Sequence, residues 1–269
     1  MEIITRKTGL SGKAPGTEGF LADHKDRLKT AEAALEQSFP AETGTLVSFM
    51  VNALYLFGGQ TVAAGNAPPE VTAELTRLGH RVRAAPPGES VRGAGAPQGK
   101  RAAARGHDAG VDRIFLGGTF GRGVGHVERL RALRKALRPG GLLAFHVIDR
   151  DRAWERTGER IVGHEQREER VRVSFDPADG RLTARVLEPS LAEAGQAWSP
   201  VGAGPAAAFQ TWNLGELRAL VRAAGLEWER AYGGWEGGAP GETGRLIVVA
   251  ARPIGRGRAT GPRRFRKAA

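Results

Sequence analysis

The feature that most constrains the fold is a strand–helix–strand pattern between residues 111 and 149. The segment DRIFLGG at 112–118 is an apolar run closed by two glycines, which is typical of a strand buried on both faces. Residues 127–137 carry Val and Leu at helical spacing, RPGG ends this helix, and LLAFHVID at 142–149 is the next buried strand. Two strands joined by a helix at this spacing form a βαβ unit, so the pattern predicts an α/β fold with a parallel sheet.

The residues before this unit predict further helices and strands. Pro68 and Pro69 suit the first turn of a helix, where a missing N–H costs nothing, and Gly58 is typical of a helix end. Residues 86–110 match no pattern, and residues 1–19 predict a flexible N-terminal arm. The predicted elements are helices at 20–38, 45–57 and 68–78 and short strands at 60–65 and 80–85.

The residues after the unit alternate between apolar and polar side chains. VRVSF at 171–175 and RLTARV at 181–186 flank the turn sequence DPADG. This pattern predicts a β-hairpin with one polar face, which we expect to form a flap over the substrate side at about 160–190.

The C-terminal part predicts one more helix and two strands. A loop leads to Thr211, and either Thr211 or Asn213 caps a helix at 214–224. The segments EWERAYGGW and RLIVVAAR are the last two strands. Together these elements predict one domain that spans residues 20–252.

The composition excludes several classes of site. The 269 residues contain no cysteine, which excludes disulfides, thiolate metal ligands and cysteine nucleophiles. No spacing of the remaining ligand types predicts a metal site. No apolar run reaches the roughly 18 residues of a membrane span, and the N-terminus lacks the apolar core of a secretory signal. We therefore expect a cytoplasmic protein without a membrane segment.

The charge raises the question of nucleic acid. The formal net charge is +11, and the stretch 252–267 carries seven basic residues and no acidic one. Without this stretch the net charge falls to about +4, an ordinary value. Residues 81–105 form a second, acid-poor stretch. The tail at 253–269 and this loop are either solvated segments or an electrostatic footprint for RNA or another polyanion.

Three segments carry a resemblance to a known family. They are FLGGTFG at 115–121, LRPGG with the apolar strand that follows it, and TWNLGELRALVRAAGLEWERAYGGWEG with the final strand RLIVVAAR. They resemble the class I S-adenosylmethionine (SAM)-dependent methyltransferases, in particular the branch that acts on small molecules, over roughly residues 40–252. The resemblance implies a Rossmann-like α/β fold with a seven-stranded, mostly parallel sheet, helices on both faces, an antiparallel last strand and a β-hairpin insertion.

The resemblance also implies where SAM binds. In the family the first strand ends in an Asp and a G-x-G-x-G turn; here Gly65 takes the first glycine, Ala67 and Pro69 take the next two, and Ala63 takes the Asp. The family's ribose-binding acid falls at about Pro86. This degenerate motif leaves two interpretations, an altered SAM pocket or a fold that has lost the cofactor. The implied cofactor-binding residues are Ala64, Gly65, Asn66, Gly117, Gly118 and Thr119.

Residues at or near the strand ends are candidates for substrate binding. Arg150 either clamps a substrate carboxylate or belongs to a surface charge pair within the run DRDR at 149–152. Trp212 and Trp235 either stack on substrate or pack under a lid, and Phe120 either lines the active cleft or belongs to a tight turn. His126 is interpreted as a cap or an exposed side chain and His146 as a core histidine, with a general base as the alternative for both. The substrate candidates are Phe120, Arg150, Trp212 and Trp235.

The sequence favours methyl transfer from SAM to a nitrogen or oxygen of a small molecule. Such chemistry depends on positioning and does not require a catalytic base. Two alternatives stay open, because a fold does not fix a function. One is a non-catalytic binding or assembly module that is associated with RNA, and the other is a cyclase or isomerase on the same scaffold.

Overall fold

The structure is a computed structural model of the chain. It describes residues 17–36, 42–85, 110–164, 167–189, 198–199 and 206–254. The predicted N-terminal arm up to residue 16, the loop at 86–109 and the basic tail from residue 255 lie outside the described residues. The nucleic-acid role predicted for the tail and the loop therefore stays a prediction.

Helices and strands follow the order that an α/β fold requires. Within the described residues the α-helices are α1 (Thr17–Glu36), α2 (Thr43–Ala53), α3 (Pro69–Arg77), α4 (His126–Ala136) and α5 (Leu214–Ala223), and a 3₁₀ helix spans Arg150–Arg156. The strands are β1 (Thr61–Gly65), β2 (Arg81–Ala84), β3 (Val111–Thr119), β4 (Leu137–Asp149), β5 (Gly158–His164), β6 (Arg167–Asp176), β7 (Arg181–Val186), β8 (Glu188–Pro189), β9 (Trp198–Ser199), β10 (Ala206–Trp212), β11 (Glu227–Tyr232) and β12 (Arg245–Ala251). None of the described helices is both long and apolar enough to cross a membrane.

A mostly parallel sheet forms the centre of the molecule. Its strand order is β2-β1-β3-β4-β12-β11, in which β2, β1, β3 and β4 are parallel and β12 inserts antiparallel between β4 and β11. This order confirms the predicted Rossmann-like fold and its antiparallel last strand. The described residues contribute six of the seven predicted strands to this sheet, and the chain between β2 and β3 includes the segment 86–109.

Strand β4 explains why helices cover both faces of the sheet. Successive side chains of a strand point to opposite faces. Leu143 and Phe145 share one hydrophobic cluster with residues of α4 and α5, whereas Leu142 and Ala144 share another with residues of α2 and α3. Both faces of β4 are therefore buried, as its continuous apolar sequence predicts.

A second, antiparallel sheet joins the carboxyl end of β4. Its order is β5-β6-β7-β10, and the predicted hairpin forms its two central strands. It meets the central sheet where Thr211 and Trp212 pair with Ile148 and Asp149. Helix α1 covers its inner face, and the shared cluster there includes Ala31, Ala34, Leu35, Val173, Leu182 and Phe209.

Strand β10 corrects the prediction for the residues before α5. The sequence predicts a loop that leads to Thr211, but Ala206–Trp212 forms a strand. Its sequence, AAAFQTW, has low β propensity at its start, so the strand depends on its pairing with β7 and with the end of β4. The helix cap is Asn213, whose side chain accepts from the N–H of Glu216 at 2.9 Å in a capping box.

Helix α2 ends four residues earlier than the sequence predicts. Its last residue is Ala53, and Tyr55 takes a left-handed φ of 48°. The Arg113 side chain on β3 donates to the carbonyl oxygen of Leu54. A cation at the carboxyl end of a helix is favourable, so this contact from the neighbouring sheet accounts for the earlier stop.

The packing of α1 against the second sheet can be tested at Leu182, which is fully buried there. We expect Leu182→Ala to lower the free energy of unfolding by about 2–5 kcal/mol in urea denaturation. Arg185 lies on the same strand and is exposed, so Arg185→Ala should change that free energy by less than about 0.5 kcal/mol. Equal losses in the two variants would contradict this packing.

Candidate functional site

The candidate site lies where the strand order of the central sheet reverses direction. Strand β1 has β2 on one side and β3 on the other, while the chain continues from β3 to β4 in the opposite direction across the sheet. Helix α3, which follows β1, and helix α4, which follows β3, lie on opposite faces of the sheet. Such a switch point opens a crevice at the carboxyl ends of the two strands, which is where open α/β sheets bind ligands.

Two glycines of β3 allow the turn after β1 to approach closely. A Cβ atom on Gly117 would lie 2.6 Å from the carbonyl oxygen of Asn66 and 2.9 Å from Cα of Ala67. A Cβ atom on Gly118 would lie 3.0 Å from the side-chain nitrogen of Asn66, which itself has a left-handed φ of 50°. The turn and the end of β3 therefore form one continuous backbone surface, and a side chain at Gly117 would push them apart.

The strand register brings the predicted cofactor-binding residues together. Ala64 pairs with Phe115 and Gly65 pairs with Leu116, so that Asn66 comes next to Gly117. Thr119 ends β3 one residue after Gly118. All six predicted residues thus lie at one end of β1 and β3.

The helix after β1 offers a ligand fewer backbone donors than an ordinary helix does. Pro68 and Pro69 stand at its start and have no N–H. The N–H groups of Val71 and Thr72 both donate to the carbonyl oxygen of Pro68, at 3.0 and 3.3 Å. The N-terminus of α3 is therefore a weak anion-binding position.

Thr119 and His146 form a buried polar pair at the ends of β3 and β4. The distance between Thr119 Oγ1 and His146 Nε2 is 3.2 Å, and His146 is 6% exposed. Burial lowers the pKa of His146 well below its ordinary value, and the charges of Arg245 and Arg156 lower it further. The imidazole is therefore neutral at pH 7, and its Nδ1 atom has no hydrogen-bond partner in the described part of the chain.

Trp235 contacts this polar pair on the face of the sheet that α2 and α3 cover. Its ring centroid lies 5.3 Å from that of His146 and 5.7 Å from that of Phe115. The guanidinium of Arg245 stacks over the same ring at 5.1 Å. Trp235 therefore links the polar pair to a buried cation, and of the predicted substrate residues it is the one in contact with His146.

Sequence reasoning missed Arg245. Burial lowers its pKa to about 9, with a further contribution from Arg156 and an opposing one from Glu236, so it stays charged at pH 7. In the sequence, Arg245 is the first residue of the apolar strand RLIVVAAR, a position that is typical of an exposed strand end. In the folded chain this Arg packs against Trp235 and pairs with β4, which leaves only 4% of it exposed.

The structure places Phe120 and Trp212 on the opposite face of the sheet. Phe120 is fully buried, and its ring lies 4.9 Å from Phe145 and 6.0 Å from Trp212. His126, the first residue of α4, lies 5.0 Å from Trp212, and burial lowers its pKa. These contacts agree with the interpretation of the aromatic residues as packing, and they keep Phe120 away from Trp235.

Arg150 lies at the junction of the two sheets. Its guanidinium is 2.5 Å from Oε1 of Glu216 and donates to the carbonyl oxygen of Thr211 at 3.0 Å. The preceding Asp149 is 3% exposed and accepts from the N–H of Asp151, and burial raises its pKa. Arg150 therefore has partners within the protein, on β10 and α5, which neither sequence interpretation of this residue includes.

A metal centre has no basis in the described ranges. They contain no group of three or more His, Asp or Glu side chains that could hold a metal ion. The described groups of the site are its backbone surface, the polar pair and the aromatic and basic groups around Trp235.

Known proteins match this chain by structure and not by sequence. No protein-family model and no curated protein sequence matches it. The structure is similar to that of the CcbJ methyltransferase from Streptomyces caelestis, with 16% identity, a TM-score of 0.54, and coverage of 83% of this chain and 97% of that one. It is also similar to an S-adenosylmethionine-dependent methyltransferase from Clostridium acetobutylicum, with 8% identity, a TM-score of 0.50, and coverage of 88% of this chain and 100% of that one. The chain therefore has the class I methyltransferase fold.

The buried state of His146 predicts a pH dependence of stability. Because its pKa is lower in the folded chain than in the unfolded chain, protonation favours unfolding. The contribution of neutral His146 to the free energy of unfolding is fully present above a pH of about 6.5. It is lost as the pH falls below that value. We expect the difference in unfolding free energy between the wild type and His146→Gln to become less favourable to the wild type from about pH 7.5 to about pH 5.5. A difference that does not change with pH would show that His146 is solvated or already paired.

Proposed function

We propose that this protein transfers a methyl group from SAM to a nitrogen or oxygen atom of a small molecule. The observation that carries the proposal is the close approach of the Asn66 turn to Gly117 and Gly118 at the switch point of the sheet. The fold supports it, because the two similar solved structures are both methyltransferases.

The backbone surface at this point is the proposed binding position of SAM. The residues that would hold SAM are Ala64, Gly65, Asn66, Gly117, Gly118 and Thr119. The glycines of β3 let the Asn66 turn pack against the strand, and backbone groups of the turn and of β3 would supply hydrogen bonds to the ligand. When bound, SAM supplies an electrophilic methyl group on a sulfonium sulfur.

The polar groups that would bind the nucleoside part of SAM differ from the family pattern. The described residues at the ends of β1, β2 and β3 carry no acidic side chain: Ala64 to Ala67, Ala84 and Ala85, and Gly117 to Gly121. A charge-assisted hydrogen bond contributes roughly 1.5–3 kcal/mol, so the loss of two would weaken binding by about two to four orders of magnitude if nothing replaced them. We therefore propose a weakened or altered SAM site.

The chain's own contribution to the reaction is positioning and the exclusion of water. Thr119 and His146 are both nearly buried, at 7% and 6% exposure, and border the glycine surface. Because His146 is neutral, it would add no positive charge to a site that holds a sulfonium, whereas a protonated imidazole would repel that group. The Trp235 ring packs against the ring of His146. Methyl transfer requires a site that excludes water and aligns the reactants, and it does not require a general base.

The proline-containing start of α3 favours one alternative function. Together with the missing acids, it is consistent with a methyltransferase fold that no longer uses SAM for methyl transfer. Such a protein would be a binding or assembly module, or a cyclase or isomerase on this scaffold. Binding of SAM distinguishes these possibilities from the proposed function.

The proposal predicts measurable binding of SAM and of its demethylated product, S-adenosylhomocysteine, in calorimetry. We expect Gly117→Ala to weaken this binding by roughly tenfold or more, because the new Cβ displaces the Asn66 turn. Gly58→Ala is the matched control, since a Cβ at Gly58 would meet nothing within 4 Å, and its binding should equal that of the wild type.

Thermal unfolding of each variant separates a lost binding surface from a lost fold. If the wild-type protein shows no heat of binding with either compound at about 1 mM, the proposed function is wrong. If Gly117→Ala binds as well as Gly58→Ala, SAM does not use this surface.

A further inference from the structure

We infer that the cavity between α2 and the segment after β11 binds the protonated amine of a small organic molecule. The identification of this molecule as the methyl acceptor rests on the proposed function, whereas the binding of a cation does not. The cavity has a volume of about 520 Å³, which lies within the usual range for small-molecule sites.

Three aromatic rings form the apolar part of the cavity. The Phe49 ring lies 5.2 Å from Tyr232 at an interplanar angle of 83° and 5.1 Å from Trp235 at 82°. Phe49 and Trp235 are each 5% exposed, so these two rings are fixed by packing. Tyr232 and Trp235 both pack edge-to-face with Phe49, and the parts of the three rings that line the cavity give it an aromatic wall. Aromatic rings attract organic cations within about 6 Å.

Two carboxylates complete the lining. Glu42, just before α2, and Glu236, next to Trp235, both line the cavity and are exposed. The neutral polar side chains of Thr45, Ser48 and Asn52 line it as well. Among its described lining residues there is no Lys, Arg or His. On a chain with a net charge of +11, this combination of rings and carboxylates favours a cationic ligand.

The nearby arginine does not reverse this preference. Arg245 stacks over Trp235 at 5.1 Å, is 4% exposed and does not line the cavity with the described residues. Its charge interacts with Glu236, which lies on the cavity side. The charge of Arg245 therefore offsets part of the negative charge of Glu236. The charge of Glu42 is the second negative charge of the cavity.

The cavity adjoins the proposed site of chemistry through Trp235. The same ring that lines the cavity lies 5.3 Å from His146, which contacts Thr119 at the end of β3. The cavity and the Thr119–His146 pair therefore share Trp235 as a common neighbour. No side chain of the cavity belongs to the predicted SAM-binding residues.

The test uses the full chain without SAM and two probes of the same shape. Choline carries a permanent cation, and 3,3-dimethyl-1-butanol is its neutral isostere; ethanolamine adds a protonated amine. Binding is followed by NMR through the indole N–H of Trp235. We expect choline and ethanolamine to give saturable shifts and the neutral isostere to give none, because the attraction depends on charge.

Substitution of the carboxylates supplies the second arm. The double variant Glu42→Gln, Glu236→Gln should weaken choline binding by roughly tenfold, since it removes both negative groups and retains the shape of the cavity. Glu229→Gln removes an exposed carboxylate outside the cavity and should bind choline as the wild type does. Because these are surface substitutions, the variants are expected to fold, and circular dichroism checks this.

The outcomes separate this inference from the proposed function. Equal binding of choline and its neutral isostere, or unchanged choline binding in the double variant, would overturn the inference. Competition between SAM and choline would also overturn it, since the cavity would then hold the sulfonium of SAM. Charge-dependent choline binding that SAM does not displace supports the amine site, whether or not SAM binds elsewhere on the protein.

Discussion

Burial of β4 on both faces is the constraint on which the rest of the structure depends. Each of the three hydrophobic clusters contains residues of this strand: Phe145 and Val147 lie in the first, Ala144 in the second and Ile148 in the third. Strands β3, β12 and β10 all pair with it. A strand in this position holds the two sheets and the helices on both faces in one arrangement, and it fixes which strand ends meet at the edge.

The same alternation places one polar residue between two hydrophobic clusters. On the face of β4 that holds Ala144 and Ile148, the intervening residue is His146, which is buried and neutral. A buried polar group needs partners within the protein, and His146 contacts Thr119 at the end of β3 and the ring of Trp235 after β11. The site is thus built from groups that the sheet already orders, which limits the conformational entropy lost when a ligand binds.

The charge of the chain and the charge of its candidate cavity have opposite signs. Basic residues dominate the sequence, yet Glu42 and Glu236 line the cavity beside three aromatic rings. The positive charge of the rest of the chain opposes the approach of a cation, so cation binding in this cavity depends on the local carboxylates and rings. The net charge therefore says little about the ligand of this cavity.

The sequence by itself determined the elements whose signal is local. The apolar runs of β3 and β4 and the alternation around DPADG are each encoded in fewer than about 15 neighbouring residues, and the structure agrees with them. The sequence also limited the cap of α5 to Thr211 or Asn213, and the structure shows that the cap is Asn213. The placement of Gly65 and Gly117 at one edge also followed, because parallel strands end on the same side. Tertiary structure alone decided the strand at Ala206–Trp212, the early end of α2, the burial of Arg245 and the cavity beside Trp235. Each of these depends on contacts between residues far apart in the chain, and no short stretch of sequence records which distant groups will desolvate a side chain or pair with a strand.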